Sequence, residues 1–141
     1  MARPNKLEKF VKNGMFEGRY ESDECEAINV HDLLNRYIFN NTLACPTFNI
    51  KRTRGYWGMC DGRFDKDGDF HTAQIILNYR FPHKAMFVAT IAHEMVHQWQ
   101  WEVLNPIREQ EGKPPLMSHG PSFFQWRPAL NKYYIPLTKE Y

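Results

Sequence analysis

Two parts of the chain place apolar residues at helical spacing. In the first part, apolar positions at i, i+3, i+4, i+7 and i+8 predict a helix with one buried face: Val30, Leu33, Leu34, Tyr37 and Ile38. Ser22 or Asn29 is the expected N-cap of this helix. Asn40, Asn41 and Pro46 mark its end.

The second helical pattern is longer and runs from about residue 83 to residue 103. Its apolar residues share one face but also appear on the other sides, which indicates a central, largely buried helix. Pro82 fits just ahead of this helix, and Pro106 is expected to end it. We expect a loop over 105–118 and a last helix over about 121–134.

Short segments between the two helical patterns have strand character, namely 47–51, 55–64 and 72–79. Asp-Gly within the sequence 65–69 predicts a hairpin turn between the second and third of these strands. A calcium-binding loop is excluded there, because with Gly68 in the glycine position the twelfth position holds Gln74 rather than an acid.

The length of 141 residues suggests one domain. Residues 1–21 show little periodicity and are interpreted as an N-terminal tail or loosely attached segment, with the domain over 22–141. The net charge of +2 is too weak to indicate nucleic-acid binding. Basic residues cluster locally, as at Lys51, Arg52 and Arg54, where a solvated face is a more frequent explanation than a contact with phosphate.

The cysteine content and the N-terminus bear on the compartment. Cys25, Cys45 and Cys60 are odd in number and form no C-x-x-C pair, so free buried thiols in a reducing compartment are the simplest interpretation. The polar N-terminus lacks the apolar run of a signal peptide, and no stretch approaches the roughly 18 apolar residues of a membrane span. We therefore expect an intracellular, cytoplasmic monomer with no membrane partner.

The chemistry is concentrated in the string His93-Glu94-Met95-Val96-His97 on the central helix. Residues four apart lie on the same helix face, so the two imidazoles can converge on one Zn²⁺. Glu94 follows the first histidine directly and can lie beside the metal without binding it. Zinc lowers the pKa of a water molecule towards about 7, and the carboxylate can take its proton. The motif therefore indicates hydrolysis of a carbonyl compound.

A catalytic zinc site needs a third protein ligand and an open position. The metzincin pattern is excluded, because Gln100 and Val103 stand where it requires a glycine and a histidine. His119 is the strongest candidate, and Gly120 would let the backbone turn beside it. Carboxylate alternatives stay open, although a solvated surface or the far side of the helix explains them better: Glu102, Glu109 and Glu111.

These features resemble the SprT-like metallopeptidases. The resemblance rests on the string A-T-I-A-H-E-M-V-H-Q-W-Q-W-E-V, followed by a loop, by Ser118-His119-Gly120 and by Phe123 or Phe124. H-E-x-x-H alone occurs in many zinc peptidases, but its combination with H-G-x-x-F is much more specific.

Upstream segments extend the resemblance to roughly residues 28–134. Residues 33–39 are similar to the family's first helix, 54–58 to its first hairpin region, and 75–78 to the strand before the active-site helix. The resemblance implies an α+β, zincin-like fold in which a small sheet packs against the central HExxH helix. It also implies that strand 72–79 is a sheet edge that receives the substrate in extended form.

The resemblance further implies a site and an activity. His93, His97 and His119 would bind one Zn²⁺ per chain, and Glu94 would be the catalyst of peptide-bond hydrolysis in protein or peptide substrates. Some family members cleave proteins crosslinked to DNA and are activated by DNA, which makes DNA a candidate partner. Many members also carry a C-terminal cysteine zinc ribbon, and the absence of such cysteines here weakens the expectation of DNA dependence.

The alternative hypothesis is a non-enzymatic, zinc-stabilised module that binds protein or DNA. Glu94 argues against it, because a structural zinc site has no need of a carboxylate beside an open position, and such sites usually have four protein ligands. The group that stabilises an oxyanion stays open among several side chains: His31, His71, His83, Tyr79, Tyr133 and Arg127.

Overall fold

The computed structural model describes residues 3–14 and 18–139, and in these ranges it is a mixed α+β domain, as predicted. The helices are α1 Lys6–Gly14, α2 Glu24–Tyr37, α3 Lys84–Trp99, α4 Asn105–Gln110, α5 Pro121–Phe124 and α6 Arg127–Asn131. The strands are β1 Tyr20–Glu21, β2 Thr47–Lys51, β3 Gly58–Phe64, β4 Phe70–Asn78 and β5 Arg80–Phe81.

The main sheet has the strand order β2-β4-β3, with β2 parallel and β3 antiparallel to β4. The prediction that residues 72–79 form a sheet edge is therefore wrong, because β4 is paired on both sides. β3 is the edge strand against which α3 packs. The predicted hairpin turn is confirmed: Gly68 has a φ of +83°, and the Asp65 carboxylate accepts the N–H groups of Asp67 and Asp69 at 2.9 Å each.

Helix α2 confirms the predicted amphipathic pattern. Its stripe lies in the core with the apolar residues of β4 and α3. The N-cap is Asp23 and neither predicted residue, and its carboxylate accepts the N–H groups of Cys25 and Glu26. Beyond its C-terminus, Asn40 and Asn41 adopt positive φ angles and reverse the chain towards β2.

Helix α3 is almost entirely buried. The helical path that it begins was expected to stop at Pro106, but it continues through that residue. A π-helical segment, Gln100–Leu104, leads directly into α4, with Pro106 in the first turn of α4. Proline has no N–H and crowds the carbonyl four residues earlier. The wider π turn just before Pro106 accommodates the proline without ending the helix. The prediction of a loop is therefore wrong for 105–110; residues 111–118 contain no regular element.

Helix α1 was not predicted by the sequence pattern. It packs against α2, and Leu7 is only 1% exposed within the core. The division of the chain at residue 21 stays a prediction. At the other end, the single helix expected over 121–134 is instead two short helices, α5 and α6, and Pro128 lies in the first turn of α6.

The residues after α6 return the chain to the central helix. Ile135 and Leu137 are buried in the core, and this brings Thr138 and Lys139 to the face of α3 that carries the histidines. This C-terminal strap, 135–139, has no regular secondary structure. It nevertheless contributes directly to the candidate site described below.

Cys25, Cys45 and Cys60 are all free, as predicted, but only Cys60 is buried. None of the helices in the described ranges combines the length and the apolar character needed to cross a lipid bilayer.

Candidate metal centre

Three histidine side chains from two parts of the chain converge at one point. His93 and His97 project from one face of α3, one turn apart, and His119 comes from the loop before α5. The Nε2 atom of His119 lies 3.1 Å from that of His97 and 3.2 Å from that of His93. The structure therefore brings together all three histidines that the sequence singled out, and this group could hold a metal ion.

Hydrogen bonds orient the two helix histidines. The Nδ1 atom of His93 lies 2.8 Å from the carbonyl oxygen of Thr138, which can only accept. The Nδ1 atom of His97 lies 2.8 Å from Oε1 of Gln100. The amide nitrogen of Gln100 donates to Ser118 and Ser122, which assigns Oε1 as the acceptor. Both Nδ1 atoms therefore carry the ring proton, and both Nε2 atoms point a lone pair into the cluster.

The separations of His119 Nε2 from the other two nitrogens fit a tetrahedral metal site. Two ligands at 2.0–2.1 Å from one ion with tetrahedral angles lie about 3.3–3.4 Å apart. The Nε2 separations of 3.1 and 3.2 Å are close to this value. The Nε2 atoms of His93 and His97 carry lone pairs, so only His119 could donate a proton within the cluster. One proton cannot satisfy both acceptors at once, whereas a metal ion would bind all three nitrogens. A nitrogen donor set of this kind suits zinc.

Phe123 forms the floor of the histidine cluster. Its ring is fully buried and its centroid lies 4.9 Å from the centroid of each of the three imidazoles. Phe123 is thus the phenylalanine of the H-G-x-x-F pattern that contacts the site. The expected role of Gly120 as a turn residue is not needed, because its φ of −99° is open to any residue.

Glu94 is buried beside the cluster, with 3% of its surface exposed. Its Oε2 atom lies 3.8 Å from Nε2 of His93, and the backbone N–H of Cys60 on β3 donates to the carboxylate. Gly58 makes room for it: a Cβ atom there would lie 2.6 Å from Cγ2 of Thr90 and 3.2 Å from Cγ of Glu94. The edge strand and α3 therefore fit together only because residue 58 has no side chain.

Burial shifts the titration of the whole group. Desolvation, followed by the charge of His97, lowers the pKa of His93 to about 3. Desolvation also lowers the pKa of His97 to about 4 and, together with the charge of Lys139, lowers the pKa of His119. Burial raises the pKa of Glu94 to about 8. Three neutral imidazoles beside a carboxyl that is easily protonated form an arrangement suited to metal binding and proton transfer.

The cluster lies in an open cleft of about 270 Å³. Its walls combine the edge strand β3, the loop before α5 and the C-terminal strap: Gly58, Met59, Cys60, Met117 and Lys139. The edge strand β3 and the three histidines therefore line the same cleft.

The structure does not bring the other candidates to this cleft. Glu102 accepts the N–H of Ala44 and the side-chain amide of Gln98, and Glu109 and Glu111 lie exposed on or beside α4. None of the side chains left open for the oxyanion lines the cleft: His31, His71, His83, Tyr79, Tyr133 and Arg127. Several of these have structural partners, such as His31 with Gln98 and His83 as the N-cap of α3.

Sequence reasoning missed four contributors to this site. Gln100 stands three residues after His97, a spacing that puts it on the same helix face, so its role could have been inferred. The Thr138 carbonyl and the Cys60 N–H are backbone groups, and no side-chain identity signals them. Lys139 reaches the cleft only through the fold of the strap.

Comparisons of the chain with models of known protein families, with curated proteins and with solved structures found no match.

Proposed function

We propose that this chain is a zinc-dependent metallopeptidase of the SprT-like type with a zincin-like fold. His93, His97 and His119 would hold one Zn²⁺, and Glu94 would be the general base. The observation that carries the proposal is the convergence of the three histidines in an open cleft beside a buried carboxylate, with Nε2 of His119 at 3.1 and 3.2 Å from those of His97 and His93.

Zinc bound by these residues would act as a Lewis acid that acidifies water and polarises a carbonyl group. The protein's part is to hold and move a proton at Oε2 of Glu94, which lies 3.8 Å from Nε2 of His93. A nearby cation favours the carboxylate and would lower the Glu94 pKa from about 8 towards neutrality. A base with a pKa near the working pH can both accept a proton and return it to a leaving amine.

The edge strand β3 suits an extended peptide substrate. The carbonyl of Trp57 accepts the N–H of Asn78, so alternation along the strand directs the backbone groups of Gly58 and Cys60 away from β4. The Cys60 N–H is used by Glu94, which leaves the groups of Gly58 and the Cys60 carbonyl for a substrate. Lys139, which lines the cleft, is our candidate for stabilising negative charge on the substrate carbonyl.

The number of candidate ligands among the described residues favours an enzyme over a zinc-stabilised binding module. Among the described residues, the group that could hold a metal contains three histidines and no cysteine or carboxylate. A structural zinc site usually has four protein ligands, whereas a catalytic one keeps a position open.

The test is a cleavage assay with the zinc-loaded protein. An unfolded protein and a DNA-bound protein would be offered as substrates, each with and without single-stranded DNA. Glu94→Gln is the critical variant, and Glu109→Gln, a change of the same kind at an exposed position on α4, is the matched control. We expect cleavage by the parent and by the control but not by Glu94→Gln.

The assays with and without single-stranded DNA distinguish two substrate classes. A requirement for DNA would place the protein with the repair of DNA–protein crosslinks, whereas cleavage without DNA would indicate a general peptidase. If the parent and Glu94→Gln both bind zinc and neither cuts either substrate, the peptidase proposal fails and the non-enzymatic module replaces it.

A further inference from the structure

A second pocket, of about 420 Å³, lies at the end of the main sheet where β4 finishes. It has no lining residue in common with the metal cleft. Three arginines from three separate segments line it, namely Arg19, Arg52 and Arg80. The rings of Trp57 and Tyr79 also contribute to its walls, and no acidic side chain is among its lining residues in the described parts of the chain.

Asn78 holds the three arginine-bearing segments together. Its Oδ1 atom accepts the N–H of Thr53 at 3.0 Å, which fixes the loop that carries Arg52. Its Nδ2 group donates to the carbonyl of Arg80 at 2.8 Å. Its own carbonyl accepts the hydroxyl of Ser22 at 2.6 Å, which fixes the segment that follows Arg19. Asn78 therefore fixes the backbone segments that carry the three arginines, of which Arg19 and Arg52 have exposed side chains.

The pairing of β1 with β5 reinforces this arrangement. Tyr20 is opposite Phe81 and Glu21 is opposite Arg80, so Arg19 is held next to the end of β5. The Arg80 guanidinium lies 4.7 Å from the centroid of the Tyr79 ring, and its side chain is half-buried. Glu21 is its partner in register but does not line the pocket. In the described residues, none of the three arginines forms an ion pair with a carboxylate.

We propose that this pocket binds a phosphate group, supplied as inorganic phosphate or as the phosphate of a mononucleotide. Three guanidinium groups without a carboxylate partner favour a ligand with more than one negative charge, and a phosphate monoester supplies about −1.5 to −2 at pH 7. Arginine forks match phosphate oxygens in paired hydrogen bonds. The volume of about 420 Å³ falls in the range of small-molecule sites.

The two aromatic walls give the nucleotide form a second contact. Trp57 and Tyr79 can stack against a planar base while the arginines hold its phosphate. The site would also give Arg52, which belongs to the local basic run, a role beyond contact with solvent.

Calorimetric titration of the zinc-free protein, in a buffer without phosphate and with a chelator present, tests this site. Because zinc is absent, the result does not depend on the proposed peptidase activity. The probes are inorganic phosphate, adenosine monophosphate, adenosine, and acetate as a carboxylate control. We expect saturable binding of one phosphate-bearing probe per chain and no binding of adenosine alone.

Matched arginine variants locate the binding. Arg80→Gln should weaken the affinity for phosphate at least about tenfold, since it removes charge-assisted hydrogen bonds. Arg36→Gln is the control, because Arg36 also lies against a neighbouring tyrosine ring, at 5.9 Å, but on α2 and outside the pocket. It should change the affinity less than about twofold. Arg52→Gln, at an exposed position, gives a second variant if Arg80→Gln does not fold.

Tighter binding of adenosine monophosphate than of inorganic phosphate would identify the nucleotide as the ligand, and equal binding would identify the free ion. Both results support the proposal. It is overturned if no probe binds saturably, if acetate binds as tightly as phosphate, or if Arg36→Gln weakens binding as much as Arg80→Gln and Arg52→Gln.

Discussion

Replacing Glu94 with glutamine should stabilise the zinc-free protein at neutral pH. Glu94 is 3% exposed, and a single backbone N–H, that of Cys60, supports its carboxylate. Folding therefore transfers a carboxyl group into surroundings that disfavour its charge. Glutamine has almost the same shape and keeps an oxygen that accepts the Cys60 N–H. Because glutamine is neutral, its burial does not require the desolvation of a charge.

The magnitude follows from the pKa. Burial raises the pKa of Glu94 from its ordinary value of 4.5 to about 8. A folded-state pKa above the unfolded one means that stability is lost as the pH rises from 4.5 to about 8. Each pKa unit corresponds to 1.36 kcal/mol, so the carboxyl costs about 3 kcal/mol at pH 7 and less than about 1 kcal/mol at pH 5. Glutamine avoids this cost at both pH values.

Urea unfolding of both proteins at pH 5 and pH 7, with a chelator present, measures the difference. We expect Glu94→Gln to be more stable than the parent by about 3 kcal/mol at pH 7 and by under about 1 kcal/mol at pH 5. The titrating histidines are common to both proteins and cancel in the comparison. Exposed Glu109→Gln should stay within about 0.5 kcal/mol of the parent throughout. An equal effect of Glu94→Gln at the two pH values would refute the desolvation argument.

Three further changes probe the surroundings of the site. Gln100→Ala removes the acceptor of the His97 ring proton, and zinc affinity measured against a competing chelator should fall about 10- to 100-fold, whereas exposed Gln125→Ala should leave it unchanged. Gly58→Ala should cost about 1–3 kcal/mol in urea unfolding, and adding Thr90→Ser, which removes the methyl group 2.6 Å from the new Cβ, should recover part of the loss. Because the His93 pKa of about 3 lies below its ordinary value of 6.5, the zinc-free parent should lose stability relative to His93→Gln in urea unfolding as the pH falls from 6.5 towards 3.

Features with a strong local signal were predictable from the sequence. The stripe of α2, the apolar length of α3 and the Asp-Gly turn between β3 and β4 all depend on neighbours a few residues away. Helix α1 carries a weaker signal of the same kind, because Leu7, Phe10 and Val11 have helical spacing. The segment is too short for this spacing to predict a helix by itself. Its packing against α2 stabilises the helix.

Features that depend on distant pairing were not predictable. The central position of β4 follows from its parallel partner β2, more than twenty residues earlier, and no local pattern encodes that strand order. The continuation of the helix through Pro106 depends on a π-helical adjustment that overrides the usual effect of proline.

The candidate site shows the same division. The helical period predicts that His93 and His97 share a helix face, with Glu94 beside His93 in the sequence. His119 was predicted from the Ser118-His119-Gly120 motif. The groups that orient them are a Gln100 amide, a Thr138 carbonyl and a Cys60 N–H, which meet only when the sheet, the π segment and the strap pack against α3. Tertiary packing therefore supplies the groups that orient the histidines and Glu94.

Anomalous diffraction at the zinc edge, from crystals of the zinc-loaded protein, tests most directly whether the three histidines bind zinc. If these histidines are the ligands, one strong peak per chain will lie about 2.0–2.1 Å from the Nε2 atoms of His93, His97 and His119. A zinc peak bound through Nδ1 atoms, a peak at other residues, or no bound zinc would contradict the assignment of these three histidines as the ligands, and the peptidase proposal would fall with it.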